Sequence, residues 1–549
     1  MLQDELKKIL KGDVSVDDET LEKFSKDASL FIIKPQVVVA PKGVDDIKAL
    51  VSFVTTRRGE YQNLSLTARS GGTDMTGGSI NESIVLDFSK YFTTFSVSDY
   101  GTATTEPGVY YRDFEKETLK KEYIFPSYPA SKNICAMGGI VNNNAGGEKS
   151  LIYGKTEKYV KEVKVVLSDG NEYTFAKISR NELDKKMSQG NFEGGVYRSV
   201  FKLLDANYQI AKQAKPSVSK NSIGYNIWDV WDREKQSFDM VKLFVGSQGT
   251  LGITTEAKID LVKTKPYSGL LIMFLSNLED LDEVVNIALP FRPSSVESFD
   301  DKTLKLSLKF IPGFLKLLGA KNMFSLFARF IPDFWLILTG GMPKIVLLIE
   351  FEGNSQSTIN KNIEILRGKL SGFKGKIKVS KNKKESDKYW AIRHETFNLL
   401  RHKVLGKQTA PFVDDIVVQP RFLSKFLPEL YAILDKYKLL YTISGHVGDG
   451  NFHIIPLMDL SDEKERNKIP DAMREVFSLV LRYGGSISGE HNDGLVRGPF
   501  IEDMFGREVF SIFKQIKNIF DPLNIFNPHK KTDANWNYTF QHIKTTNEK

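Results

Sequence analysis

The sequence predicts an α+β protein of more than one domain, and three observations carry that prediction. At 549 residues the chain is too long for one ordinary core, so two or three domains are expected. From Val37 onward, short β-branched runs alternate with amphipathic helical stretches. From Tyr267 the order becomes strand–helix–strand–helix, the rhythm of helices packed on an antiparallel sheet. The composition, 41% apolar and 26% charged, is that of a soluble globular protein.

Residues 1–30 read as a helical lead-in, LQDELKKIL followed by DETLEKFSKD. VVVAP then reads as a buried strand, and GVDDIKALVSFVTTR as a helix with Ile47, Leu50, Val51 and Val54 at helical spacing. LSLTARS is a strand running directly into a glycine loop. SIVLDFS, FSVSDYGTATTEPG and VKEVKVVLSDGNEYTF add strands, the last turning at Ser168-Asp169-Gly170-Asn171 as a hairpin. LFVGSQGTLGITTEAKIDLV closes a first domain over 31–265, in which lysine-rich 176–240 reads as a helical insertion. A second domain, 266–530, holds GLLIMFL, LEDLDEVVNIAL, IVLLIEFEG and NKNIEILRGKL. Residues 531–549 are polar and read as a flexible, frayed tail.

An apolar insert with basic borders occupies about 304–344. Pro312, Gly313, Lys316, Lys321, Arg329, Pro332 and Asp333 interrupt it, so it does not read as an uninterrupted membrane span. Two readings stay open: contact with a membrane surface, or burial over the active site or against a partner. The net charge of +8, from 76 Lys and Arg against 68 Asp and Glu, is thinly spread and reads mainly as solvated lysine. No focused basic face with aromatics is present, which excludes a nucleic-acid role. Cys135 is the only cysteine, so neither an intramolecular disulfide nor a cysteine-ligated iron–sulfur cluster can form within the chain. MLQDELKKIL lacks the apolar core of a secretory signal, and the expectation is a cytoplasmic protein.

Two motifs carry chemistry. In HVGDGNFH, His446 and His453 flank a Gly-Asp-Gly turn, and strands entering and leaving that turn would let the imidazoles share an ion. GEHNDG, residues 489–494, adds Glu490 as an anionic third ligand and leaves positions open for a substrate. His491 is then a spare imidazole able to act as general base. Neighbours on a regular strand point to opposite faces, so Glu490 and His491 can both serve only in an irregular loop, which Gly489 and Gly494 permit. In YWAIRHETFNLLRH, Arg393 and Arg401 fall roughly on one helix face, and a guanidinium fork fits a carboxylate. Upstream, five glycine signals occur in order: RSGGTDMTGG, TTEPG, MGGIVNNNAGG, LIYGKTEKYV and VGSQGTLG. Glycines let backbone N–H groups approach a pyrophosphate, with the Ser70, Thr73 and Thr76 hydroxyls beside them. Their spacing matches neither GxGxxG nor a Walker loop.

In this order the motifs resemble the FAD-binding domain of the vanillyl-alcohol oxidase/p-cresol methylhydroxylase superfamily. More narrowly, the chain resembles the branch of FAD-linked D-lactate, D-2-hydroxyglutarate and glycolate dehydrogenases, over residues 35–530. The resemblance implies a two-part FAD-binding domain of the p-cresol methylhydroxylase type, followed by an FAD-linked oxidase C-terminal domain. It implies non-covalent FAD, because Thr73 stands where covalent-flavin relatives have histidine. The pyrophosphate would lie on Arg69, Ser70, Gly71, Gly72, Thr73, Asp74, Thr76, Gly77 and Gly78. Pro129, Gly138, Gly139, Asn143, Asn144, Gly146, Gly147, Tyr153 and Gly154 would line the flavin and adenine end, together with Gly246, Gly249, Thr250, Gly252 and Ile253. Cys135 falls in this stretch and reads as a small buried residue.

By the same resemblance, His446, His453 and Glu490 are ligands of Zn²⁺ or Mn²⁺, and His491 is the base. Asn451 supports the metal loop or touches the substrate, and Arg393 binds the substrate carboxylate. The implied reaction is oxidation of a D-2-hydroxy acid: the metal acidifies the hydroxyl, His491 takes its proton, and the C2 hydride passes to flavin N5. Two departures bear on this. Many relatives read GEHGIG where this chain has Asn492 and Asp493, a variant of the branch that usually carries a fused iron–sulfur domain. Val413 and Ile455 replace the lysine and asparagine of 2-hydroxyglutarate-specific relatives, which leaves the substrate's tail open. With no cluster of its own, the chain is expected to pass electrons to a separate iron–sulfur subunit, an electron-transfer flavoprotein or a quinone. The rival readings are a non-redox ether-lipid (alkylglycerone-phosphate) synthase of the same superfamily and a catalytically silent flavoprotein subunit.

Overall fold

The helix Val44–Arg57 forms where Ile47, Leu50, Val51 and Val54 make one apolar stripe, and all four are fully buried. They pack on a sheet of β1 (Asp13–Ser15), β2 (Val37–Ala40), β3 (Leu66–Arg69) and β4 (Ile84–Asp87). β2, β4 and β3 run parallel, and β1 adds an antiparallel edge to β2. The computed structural model describes residues 2–61, 63–309, 341–403 and 406–546, without the side chains of 306–309 and 394–403. Residues 1–30 are therefore not a purely helical lead-in. Between the helices Leu2–Ile9 and Asp18–Phe24 they supply β1, a three-residue strand too short to show a period and fixed by pairing with Val38–Ala40.

β5 (Phe95–Val97), β6 (Thr102–Thr105), the short β7 (Tyr123–Ile124), β8 (Val160–Val166), β9 (Glu172–Ser179), β10 (Trp231–Asp232), β11 (Ser237–Asp239) and β12 (Ile253–Asp260) follow. All but β7 form a second sheet, ordered β10–β11–β9–β8–β12–β6–β5, and β7 pairs with β13 (Val262–Lys263). The Ser168–Asn171 turn joins β8 to β9 as an antiparallel hairpin. The stretch 176–240 is helical only to Gln213, through Arg180–Ser188, Phe192–Ala206 and Tyr208–Gln213. It then continues as a strap over 219–226, buried at Lys220 and from Ser222 onward, and as β10 and β11, which extend the sheet.

The third sheet is antiparallel throughout. β14 (Tyr267–Leu275), β15 (Ser295–Asp300), β16 (Ile345–Gly353), β17 (Gly375–Val379), β18 (Gln408–Thr409), β19 (Ile416–Val417), β20 (Leu440–His446) and β21 (Asn451–Met458) are ordered β17–β14–β16–β15–β20–β21–β18, with β19 also on β21. β14 is apolar on both faces because both faces are covered. Leu271, Met273 and Leu275 join Ile359, Ile363, Leu366 and Leu370 of the helix Gln356–Leu370. Leu270, Ile272 and Phe274 join Tyr389 and Ile392 of the helix Lys383–Lys403. The apolar insert lies largely outside the described residues, as does the side chain of Arg401. Among the described residues, no helix is long and apolar enough to cross a membrane.

The end of the chain is not frayed over 531–546. Lys530 and Lys531 are fully buried, Ile543 forms a bridge to Phe31, and the helix Trp536–Gln541 packs through Thr539 onto the Leu495 carbonyl. A polar composition misleads here because the lysines are neutralised or hydrogen-bonded inside the protein. Lys531 meets Asp493 with both side chains wholly buried. Truncation after residue 530 removes one partner of this pair and should cost about 3–5 kcal/mol of stability. Denaturant unfolding of the truncated and full chains measures it, and equal midpoints would mean that the tail contributes nothing.

Candidate active site

The turn between β20 and β21 brings its two histidines together. His446 ends β20, His453 lies in β21 opposite Ser444, and Gly450 takes the left-handed conformation (φ 68) against the Val418 carbonyl. The imidazoles meet edge to face, with ring centroids 5.2 Å apart. Both Nε2 atoms point at one oxygen of Glu490: His446 lies 2.9 Å and His453 3.1 Å from Oε1. Glu490 and His491 sit in an irregular segment, and the His491 ring stacks on His453 at 5.0 Å.

Carboxylates that sequence reasoning did not single out hold each imidazole from behind. Glu297 on β15 takes His446 Nδ1 at 2.6 Å, and its other oxygen takes Arg393 Nε at 3.1 Å. Asp414 reaches both His453 Nδ1 (3.2 Å) and His491 Nδ1 (2.9 Å). This carboxylate–imidazole arrangement is the one that orients metal ligands. Asp415 also lies near the cluster, but its oxygens already accept the Glu490 and His491 amides, the Ser488 hydroxyl and Asn451 Nδ2. It anchors the loop and also stands among the possible ligand atoms. Asn451, fully buried behind it, supports that loop. A pair of acids inside the apolar run PFVDDIVVQP was a legible signal for Asp414 and Asp415. Glu297 and Lys220 carried none.

The electrostatics follow from burial. Burial pushes the Glu490 carboxyl up, but Lys220, His446 and His453 outweigh it and hold it well below the usual range. Burial also opposes protonation of His453, yet Asp414 and Glu490 raise it to about 10. Lys220, itself fully buried, ion-pairs with Asp449 of the turn at 3.1 Å and faces the Gly147 carbonyl. Ligand atoms around a small divalent ion with bonds of about 2.0–2.2 Å stand roughly 3.3 Å apart. The Nε2–Oε1 separations are close to that, so His446 and His453 each stand from Glu490 at a spacing that suits a shared cation, while the ligand atoms that lie mutually close are those of Asp415, His453, Glu490 and His491.

The glycine loop also fits a nucleotide. Residues 69–75 stay half-buried while 76–78 are buried, leaving a glycine-rich trough beside Gly139 and Asn143. Ser70 Oγ accepts the Gly139 amide, and Asn143 Nδ2 donates to Asp74. A backbone trough of this kind takes a pyrophosphate. Other expected cofactor residues face elsewhere. Arg69 packs beneath Gly72 and over the Phe24 ring. Thr76 is fully buried, and its carbonyl accepts the Leu495 amide. Asn144 is tied to Glu157, Thr250 to Tyr225, and Ile253 lies in the core. Gly78 lets Gln248 approach, and Gly146 lets Glu490 approach: a Cβ there would meet Oε2 at 2.9 Å. Gln248 and Asn527, neither of them expected, brace these loops, and Asn527 donates to the carbonyls of Gly78 and Gln248.

Replacing Asp414 with alanine should weaken cation affinity by about 10–100-fold while leaving the nucleotide trough intact. Metal titration monitored by a competing chelator measures this, and unchanged affinity would remove Asp414 as the orienting group.

Comparison with known proteins agrees with this layout. Residues 35–176 match the FAD binding domain, and residues 271–531 match the C-terminal domain of FAD linked oxidases. The D-2-hydroxyglutarate dehydrogenase of Escherichia coli (strain K12) is 27% identical over 516 residues, covering 92% of this chain and 49% of that protein. The chain thus spans about half the length of that relative. The D-lactate dehydrogenase of Archaeoglobus fulgidus is 25% identical, with 90% of each chain covered. The solved structure of p-cresol methylhydroxylase with substrate bound superposes with a TM-score of 0.67 at 16% identity over 96% of each chain, a likeness of fold. With an FAD binding domain ahead of an FAD linked oxidase C-terminal domain, the chain belongs to the FAD-linked oxidases, and its fold is like that of p-cresol methylhydroxylase.

Proposed function

We propose that this protein oxidises a D-2-hydroxy acid to the 2-oxo acid, with FAD as electron acceptor and Zn²⁺ or Mn²⁺ on His446, His453 and Glu490. The observation that carries the reading is Glu490: one oxygen meets both imidazoles, and the other lies against Gly146 of the flavin-lining segment. The names of relatives at about 25% identity support the substrate class. FAD held by the glycine loop would supply a hydride acceptor for the C2 hydrogen, and a cation held by His446, His453 and Glu490 would supply Lewis acidity toward the 2-hydroxyl.

The chain's own groups do the rest. His491 Nδ1 lies 2.9 Å from Asp414 Oδ2, so the carboxylate sits behind the ring and the opposite nitrogen, Nε2, is the one to receive the hydroxyl proton. Arg393, whose Nε is committed to Glu297, offers its terminal nitrogens to the substrate carboxylate. Glu297 thereby couples the carboxylate clamp to His446 and holds both ends of the substrate site in register. The electrons leave to a separate acceptor, an iron–sulfur subunit, an electron-transfer flavoprotein or a quinone.

Anaerobic mixing with D-lactate, D-2-hydroxyglutarate, glycolate and the L-enantiomers, followed by visible flavin absorbance, tests the reading. One of these acids should bleach the flavin, with only the D form active where enantiomers exist, and bleaching by none would sink the proposal. Exhaustive chelation should abolish the bleaching, and Zn²⁺ or Mn²⁺ should restore it. His491→Ala should retain FAD and slow reduction by about 10²–10⁴-fold. Arg393→Lys should weaken substrate binding roughly 10–100-fold, the loss of one or two charge-assisted hydrogen bonds. Unchanged binding would assign the clamp to another residue.

A further inference from the structure

Asn492 follows His491 and is fully buried in the left-handed conformation, φ 73. Both ends of its amide are used. Nδ2 donates to the Gly246 carbonyl at 2.8 Å and to the Asn143 carbonyl at 3.2 Å. Oδ1 accepts from Lys531 Nζ at 2.8 Å and from the Asp493 amide at 2.7 Å. Lys531 also donates to the Gly224 carbonyl at 2.9 Å and to Asp493 Oδ2 at 2.5 Å. Three acceptors match the three protons of an ammonium group. The ammonium also lies 5.3 Å from the centroid of the Tyr225 ring.

The other side of His491 is held differently. The amides of Glu490 and His491 donate to Asp415 Oδ2 at 2.9 and 2.7 Å, so the segment before the histidine is anchored to the catalytic domain. The residue after it is anchored to the flavin-lining segments of the FAD-binding domain. His491 therefore lies between an anchor on the catalytic side and an anchor on the flavin-lining side of one short stretch of backbone.

We propose that Asn492, held by Lys531, is a positioning residue that sets the placement of His491 relative to the flavin-binding loops. The proposal rests on the reading of His491 as base. Its physical content is the pair of donated hydrogen bonds from Nδ2, and not the tolerance of asparagine for positive φ. Glycine and aspartate also adopt that conformation, but neither can donate to the two carbonyls. Asn492→Gly and Asn492→Asp therefore remove the link while keeping the backbone, whereas Lys531→Met leaves Asp493 buried and unpaired and tests folding as well.

The variants are prepared with FAD and compared in two ways. Hydrogen exchange of the 488–494 peptide reads the link without any substrate. Anaerobic flavin reduction across substrate concentrations separates the limiting rate from substrate affinity. In both variants the peptide should lose protection while FAD content is retained. The limiting rate should fall about 10–100-fold, as expected for a misplaced reacting group, with substrate affinity within about threefold of the parent. Protection equal to the parent overturns the proposal, as does lost protection with an unchanged limiting rate. His491→Ala run alongside keeps the two readings apart. Normal flavin reduction by that variant removes the base assignment, while the exchange result still decides whether Asn492 holds the loop.

Discussion

A carboxylate shielded from water has to be matched by positive charge or by protons, and Glu490 is the group on which that constraint falls hardest. Transfer of an ion from water into a protein interior costs several kcal/mol before compensation. Here the compensation comes from separate parts of the chain: two imidazoles on a hairpin, and a buried lysine on the 219–226 strap. The proposed divalent cation would meet the same demand. Each imidazole is backed by its own carboxylate, Glu297 or Asp414, so the alternation of charge continues outward rather than ending at the first layer.

That alternation explains why the two domains meet as they do. The loop that carries Glu490 and His491 touches the glycine loop through Thr76, the flavin-lining segments through Asn492 and Gln248, and the end of the chain through Lys531. Arg497, fully buried, ties it back by donating to the carbonyls of Ile487, Asn492 and Asp414. Among the described residues, Asp414 Oδ2, Asp449 Oδ2, Asn451 Oδ1, Glu490 Oε2, His491 Nδ1 and Asp493 Oδ1 are buried without a hydrogen bond, so unspent polar capacity gathers around the histidine cluster where a ligand would use it. The proposed base beside a flavin would require such a joint, because small misplacements cost large factors in rate.

Much of this was legible in the sequence where a local rule applied. The stripe Ile47, Leu50, Val51 and Val54, the hairpin at 168–171 and the near-continuous apolar β14 are consequences of helical period, turn chemistry and burial on both faces. His446, His453, Glu490 and His491 stood out because scarce histidines were bounded by glycines, and the fold brings all four together. What local rules misread was polar composition in buried places. Lysine-rich 176–240 read as a helical insertion but includes the strap beneath the site, and the polar tail read as frayed but is buried at Lys531.

The sequence by itself determined the α+β class, the order of the domains and the residue types of the site, since periodicity and ligand chemistry are properties of short segments. Only the tertiary structure decided which carboxylate backs which imidazole. It also decided that Asp415 anchors the loop while standing among the possible ligand atoms, and that Lys220, Asn492 and Lys531 lie at the site. A buried charge takes its meaning from partners 36 to 307 residues away. Chain spacing does not encode which of many acids and lysines will share a region without water.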